Sequence, residues 1–330
     1  MAIPKAELHL HIEGTLEPEL AFELAERNGI ELPFDSVEEL RRAYSFTDLQ
    51  SFLDLYYALM SVLRTEQDFA DLAAAYLERA AAQGVRHAEI FFDPQAHTSR
   101  GVAIGTVVTG LARALEDAER SLGISSRLIL CFLRDRPAEE AMETLESARP
   151  HLHAITGVGL DSAEIGNPPE KFREVFAAAR AAGLRRVAHA GEEGPADYVR
   201  QALDVLGAER IDHGVRCLED PELVERLRRE AVPLTVCPFS NVRLRVVERL
   251  EEHPLPKLIG AGLVVTVNSD DPAYFGGYVE DNLDGVRRAL DLDPETVREL
   301  ARNSFRAAFL DEERRAELIA EVDAYRFPAE

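Results

Sequence analysis

Cysteine is scarce in this 330-residue chain, and the three present, Cys131, Cys217 and Cys237, are widely spaced with no C-x-x-C pair. That excludes a disulfide framework and a zinc-finger pattern, and it fits a reducing cytoplasm. No apolar run approaches the ~20 residues that a membrane span needs, and the N-terminus shows no charged-then-apolar leader, so a cytoplasmic protein is expected. Positive charge is short as well. Lys and Arg number 37 against 60 Asp and Glu, a formal net charge of −23, which opposes binding to nucleic acid or to an anionic membrane. Two catalytic signatures are missing: no G-x-S-x-G elbow supplies a serine nucleophile, and no Gly-rich dinucleotide loop follows the first strand-like run.

What remains is a chain long enough to bury a large core. The Glu/Arg-rich run from Glu219 to Glu230 reads as a solvated helix face, and nothing in the pattern specifies an oligomeric state. Short β-like runs alternate with longer amphipathic ones. The strand candidates are Ala6–His11, His87–Phe92, Arg127–Leu133, Ala154–Leu160, Arg185–His189, Arg210–His213, Val232–Val236 and Leu263–Asn268. Helical periodicity follows most of them, as in Thr106–Leu122, Pro169–Ala182 and Pro221–Arg229. Eight strands alternating with helices predict an α/β fold, a (β/α)8 TIM barrel, in a single domain over 1–330.

Between the first two strands lie ~75 residues where one crossover helix would suffice. This helical insertion, about 17–83, is expected to hold a helix over Glu17–Gly29, a Pro-containing connection over Leu32–Ser45, a helix opened by a Thr47-Asp48-Leu49-Gln50 box and running to Leu63, and another from Thr65 to Ala82. Its position suits a cover for the active site, and equally a decoration of the scaffold.

The chemistry concentrates at strand ends. In Glu7-Leu8-His9-Leu10-His11-Ile12-Glu13-Gly14, strand alternation turns His9 and His11 to one side, and Gly14 is expected to allow a sharp turn beyond them. Strand five ends in His189, followed by Ala190-Gly191-Glu192-Glu193-Gly194; strand six ends in Asp212-His213-Gly214; strand eight is followed by Ser269-Asp270-Asp271-Pro272. In a barrel these ends share one rim, where active sites are built. The second H-x-H, His151-Leu152-His153, precedes strand four and so falls on the opposite rim; it reads as structural, as do His87 and His253, while His97 on the loop after strand two stays open.

Three imidazoles and one carboxylate make a mononuclear metal site with room for a water. Glu192 is placed to donate or accept a proton nearby, His213 to orient or deprotonate the water, and Asp271 to face the ligand side of the rim. Each has a bland alternative: Glu192 and Glu193 as an acidic pair before a helix, His213 as a capped strand end, Asp270-Asp271 as an Asx turn. Together these alternatives require several accidents on one rim.

With His9-Leu10-His11, His189-Ala190-Gly191-Glu192, Asp212-His213-Gly214, Ser269-Asp270-Asp271-Pro272 and Gly159-Leu160-Asp161 in this order, the chain resembles the adenosine/adenine deaminase family of the amidohydrolase superfamily. The resemblance implies hydrolytic deamination of a 6-aminopurine. His9, His11, His189 and Asp270 would hold one zinc, with iron as the alternative; Glu192 would share a proton with purine N1, and His213 would assist the water. Asp271 would bond N7, and the Gly159 backbone N–H would contact N3. Phe91-Phe92-Asp93-Pro94-Gln95, Val236-Cys237-Pro238-Phe239-Ser240-Asn241 and Tyr274-Phe275-Gly276-Gly277-Tyr278 look most like the adenine deaminase branch. Glu13 and Asp93 are expected to fill or repel where a ribose would sit, which favours adenine, in purine salvage, over adenosine, deoxyadenosine or 6-aminodeoxyfutalosine. A binuclear hydrolase is disfavoured because strand four ends without a lysine. A catalytically inactive binding member would have lost a ligand or Glu192, and all are present.

Overall fold

The computed structural model describes residues 2–327. Eight strands form one sheet in sequence order: β1 (Lys5–His11), β2 (Val85–Phe92), β3 (Ser125–Leu133), β4 (Ile155–Asp161), β5 (Arg185–Ala190), β6 (Arg210–His213), β7 (Leu234–Val236) and β8 (Val265–Val267). Every neighbouring pair is parallel. The circle closes just past β8, where the His11 N–H donates to Asp270 O and the Asp270 N–H to His9 O, both at 3.0 Å. Deeper in the seam the Asn268 side chain replaces a ladder bond, its Oδ1 accepting from the Leu8 N–H at 2.9 Å. This is the (β/α)8 barrel that the alternation of runs predicts.

Strands buried on both faces read as nearly continuous apolar runs. Leu10, Ile90, Leu130, Val158 and Ile211 pack outward against the helices, while Phe91, Ile129, Cys131 and Val187 fill the barrel interior. In β1 the register against β2 gains one residue between Glu7 and Leu10. Strict alternation would have turned Glu7 inward with the histidines. The irregularity instead lets its carboxylate accept from Tyr76 Oη at 2.8 Å and from Ser269, while His9 and His11 pack on the interior ring of Phe91.

The insertion forms four helices: α1 (Pro18–Asn28), α2 (Val37–Ala43), α3 (Leu49–Leu59) and α4 (Glu66–Ala82). Helix α4 begins where expected, is opened by a Thr65/Asp68 capping box and packs on the helix Ile104–Leu122. Helix α3 is capped one residue later than expected, by Asp48 with Ser51 as its reciprocal partner, and ends at Leu59. The stretch expected to be only a connection contains α2. Ser36 Oγ accepts from the Glu39 N–H, Glu38 and Glu39 sit in the first turn and Arg41 and Arg42 in the last, so caps and charges both favour a short helix there. Helix α3 lies across the barrel mouth, with Phe52 and Tyr56 against Tyr274. His151 and His153 fall in the 3-10 segment Arg149–Ala154 that leads into β4, away from this mouth, and neither is buried.

Candidate active site

Four strand ends converge on a small cavity of about 40 Å3 at the C-terminal mouth. One ligand-type atom from each of His9, His11, His189 and Asp270 falls within 4.8 Å of all the others. His9 Nε2 lies 3.2 Å from Asp270 Oδ1, His11 Nε2 3.5 Å from the same oxygen, and His11 Nε2 3.2 Å from His189 Nε2. His213 stands beside the group, its Nε2 3.6 Å from Asp270 Oδ2 and 3.5 Å from Glu192 Oε2. His213 and Asp270 both adopt the left-handed backbone region, φ 62° and 65°. Such strain costs about 1–3 kcal/mol per residue and persists only where surroundings enforce it. At Asp270 the seam bonds to β1 do so.

Burial decides the charge states. It pushes His189 well down, helped by the neighbouring His9 and His11 rings, and holds His11 down to about 4. It takes His213 down to about 3, with His9 adding to the effect. These rings are therefore neutral and keep a free lone pair. Burial would also lower His9, but the Asp270 and Asp212 carboxylates reverse the sign and raise it. Positive charge is drawn to one point, between His9 and Asp270. On the other side, burial and the Asp270 charge drive the carboxyls of Glu192 and Asp271 well above their usual range.

The remaining expected residues scatter. Asp271 and Asp93 line the cavity. Glu13 does not; its Oε1 turns away to accept from the Asp93 N–H at 3.1 Å and faces His97 Nε2 at 2.7 Å. Gly159 is absent from the lining too. It sits down the barrel in β4, where an added Cβ would come within 2.6 Å of Cys131 Sγ, so its smallness serves interior packing. Gly14 keeps an ordinary φ, and the need for glycine there is room: a Cβ would meet Asp271 Oδ1 at 2.1 Å.

Residues 4–325 match the family described as adenosine deaminase. The chain belongs to the adenosine deaminase family. It is 71% identical to an adenine deaminase of Streptomyces coelicolor, covering 100% of this chain and 97% of the relative, and 62% identical to one of Cupriavidus necator, covering 98% and 92%. Among solved structures it is similar to an adenine deaminase from Arthrobacter aurescens, with a TM-score of 0.96, 61% identity and 98% of each chain covered. An amidohydrolase from Burkholderia ambifaria with bound zinc gives a TM-score of 0.89 at 29% identity, covering 97% and 91%. As a member of the adenosine deaminase family the chain is a hydrolytic deaminase.

The cluster fits a metal ion on its own terms. His9 Nε2 is buried with only Asp270 Oδ1 before it, and two imidazole nitrogens 3.2 Å apart need a proton or a cation near them. His9 is oriented from behind, its Nδ1 3.2 Å from Thr235 O and 3.0 Å from Thr235 Oγ1, which in turn donates to Asp212 Oδ1 at 2.8 Å. Such outer partners fix which nitrogen of a ligating histidine is free.

Several deaminase-site features escape a residue-by-residue reading. Tyr56 and Tyr57 of α3 line the cavity, so the insertion covers the site. Asp161 lines it as well and faces His11 Nδ1 at 3.5 Å. Glu164 is buried behind the loop that carries Glu192, and its two oxygens accept from the backbone N–H groups of Gly191 (2.7 Å), Glu192 (3.1 Å), Glu193 (2.9 Å) and Gly194 (2.7 Å). Arg134 donates to His189 O at 2.7 Å and so braces the end of β5. The signal available for both was an ionisable residue inside or next to a strand end, Arg134 after β3 and Glu164 after β4.

Proposed function

We propose that this deaminase hydrolyses adenine to hypoxanthine and ammonia with one zinc ion per chain. The reading is carried by the convergence of His11, His189 and Asp270 with Glu192 and His213 on one cavity, His9 completing the ligand cluster behind it, in a chain whose full-length relatives bear the name adenine deaminase. Three imidazoles and a carboxylate are a donor set that suits zinc. Held by them, the ion supplies the Lewis acidity that makes water a nucleophile near neutral pH.

The side chains do the rest. Glu192, kept protonated by burial and by the Asp270 charge, donates its proton to purine N1, which makes C6 electrophilic. Neutral His213 accepts the proton that the attacking water releases as its oxygen bonds to C6. Protonated Asp271 donates to the N7 lone pair and fixes the ring in plane. The amino group takes the proton back from His213, the C6–N bond breaks and ammonia leaves. Glu192 recovers its proton as the C6 hydroxyl becomes the carbonyl of hypoxanthine, so atoms and protons balance. Phe52, Leu53 and Tyr56 of α3 keep bulk water from the reacting ring. Three unpaired cysteines support a cytoplasmic setting, in which the reaction would serve purine salvage.

Ammonia release from adenine and from adenosine, assayed at equal enzyme, tests the reading. Adenine is expected to be the preferred substrate, and a clear preference for adenosine would overturn it.

A further inference from the structure

The cavity lining divides into two groups by chemistry. His11, His189, Asp270, Glu192 and His213 gather at the ligand cluster, and Asp271 adjoins them; the rest of the polar lining is Asp93, Asp161, Ser162 and the hydroxyls of Tyr56 and Tyr57, the last of which donates to Ser162. No arginine or lysine is part of the lining. Asp93 is only 2% exposed, and its Oδ1 receives no N–H from the described residues; the one polar side chain its carboxyl meets is Asp161. Buried acceptors without donors are costly, and they persist where a ligand brings the donor.

Asp161 already has a partner in view, since its Oδ2 faces the outer nitrogen of His11 at 3.5 Å. Asp93 meets only the Asp161 carboxyl, with which it shares a hydrogen bond, and its backbone is firmly held. Its N–H donates to Glu13 Oε1 at 3.1 Å, His97 Nε2 meets the same oxygen at 2.7 Å, and His97 Nδ1 faces Arg100 Nη2 at 2.7 Å. This relay off the cavity positions a carboxyl whose own acceptor is left open.

Bound adenine has a matching need. With C6 at the cluster, N1 at Glu192 and N7 at Asp271, the edge left over carries the N3 acceptor and the N9–H donor, and the polar lining left over is Asp93 and its neighbours. We infer that Asp93 selects the free base by accepting the N9–H of adenine, with Glu13 as the residue that positions it. A nucleoside has carbon in place of that hydrogen, so Asp93 would be left unpaired against it. The inference rests on the adenine reading above.

The test compares adenine with 9-methyladenine, which differs from it only at N9. A site built to bond a substrate N–H rejects the analogue lacking it by about 10^4-fold in kcat/KM, and that preference is expected of the unaltered enzyme. Asp93→Ala should lower kcat/KM for adenine by about 10^2-fold or more and shrink the preference in proportion, with metal content unchanged. Asp93→Asn, which keeps a carbonyl acceptor beside an N–H donor, should retain most of it. Comparable turnover of the two bases by the unaltered enzyme, or an undiminished preference in Asp93→Ala, would overturn the inference while leaving the adenine reading intact. So would a second equivalent of metal that Asp93→Ala loses, since Asp93, Asp161 and His11 would then be ligands. An unaltered enzyme that deaminates neither base overturns the adenine reading and this inference with it.

Discussion

Both ends of the barrel bury charged side chains, and they treat them in opposite ways. At the N-terminal end Glu89 and Arg210 are fully buried and paired in charge: Arg210 Nη1 donates to Glu89 Oε2 at 2.5 Å and Nη2 to Leu8 O at 3.1 Å, and only its Nε makes no hydrogen bond. Glu89 Oε1 accepts from the Phe309 N–H at 2.5 Å and faces His87 Nε2 at 3.3 Å, while His87 Nδ1 meets Ser125 Oγ at 2.8 Å. Phe309 covers the cluster, the Arg210 guanidinium lying 4.9 Å from its ring centroid. At the C-terminal end the same residue types leave hydrogen bonds unmade: Glu192 Oε1, Asp271 Oδ1 and Asp93 Oδ1 are buried without one. The difference teaches where to look for function. Buried charges that find an opposite charge in the protein are scaffold, whereas buried carboxyls crowded together with open oxygens are waiting for something that binds.

The strongest way to break this comparison is at Glu192. Glu192→Gln removes the proton donor and one crowded acid. The expected outcome is a fall in kcat of about 10^3-fold or more, with metal content and thermal midpoint held or slightly raised. Activity within tenfold of the unaltered enzyme, or a marked loss of stability, would put Glu192 among the scaffold residues.

The opposite signature belongs to Glu89. Glu89→Gln leaves the Arg210 guanidinium buried without its counter-charge and should cost about 3 kcal/mol or more in denaturant unfolding, while kcat per folded molecule stays unchanged. The pH dependence sharpens the point. Burial alone would raise this carboxyl, but Arg210 and His87 more than reverse that and lower it from 4.5 to about 2. A folded-state value below the unfolded one stabilises fully above the unfolded pKa and ceases to as pH falls through the folded one. The loss should therefore run from about pH 4.5 down to about 2 and be absent from Glu89→Gln. Acid unfolding curves that superpose for the two proteins would remove Glu89 from its role.

How much of this was legible beforehand follows from how local each signal is. Strand alternation, glycine after a strand, and a His or Asp at a strand end lie within a few neighbouring residues, and they marked the rim on which His9, His11, His189, Asp270, Glu192 and His213 meet. Thr65 with Asp68 is local in the same way and marked the start of α4. What was not legible depends on contacts across the fold. The extra residue in β1 that turns Glu7 outward exists only relative to β2. Glu13 bonds a backbone N–H eighty positions away, and nothing near it tells that apart from a side chain facing the cavity. Gly159 matched a motif, yet its environment is set by Cys131 in the neighbouring strand.

Glu164 is the finest test of the comparison, because it is a fully partnered carboxylate at the end where partners are lacking. Its four N–H donors come from the loop that carries Glu192, and its charge is among those that raise the Glu192 proton affinity, after burial and Asp270. A glutamine there keeps one acceptor oxygen and turns an NH2 group toward backbone N–H groups, so the loop loosens by part of its clamp. We expect Glu164→Gln to lower kcat by about tenfold with KM and metal content little changed. Activity requires protonated Glu192, so losing a nearby negative charge should move the alkaline limb of the kcat/KM profile toward lower pH. A change in unfolding free energy with an unmoved pH profile would make Glu164 scaffold alone. A shifted profile would make it a positioning residue that acts through Glu192, and the boundary between the two ends of the barrel would then run by position in the fold as well as by hydrogen-bond satisfaction.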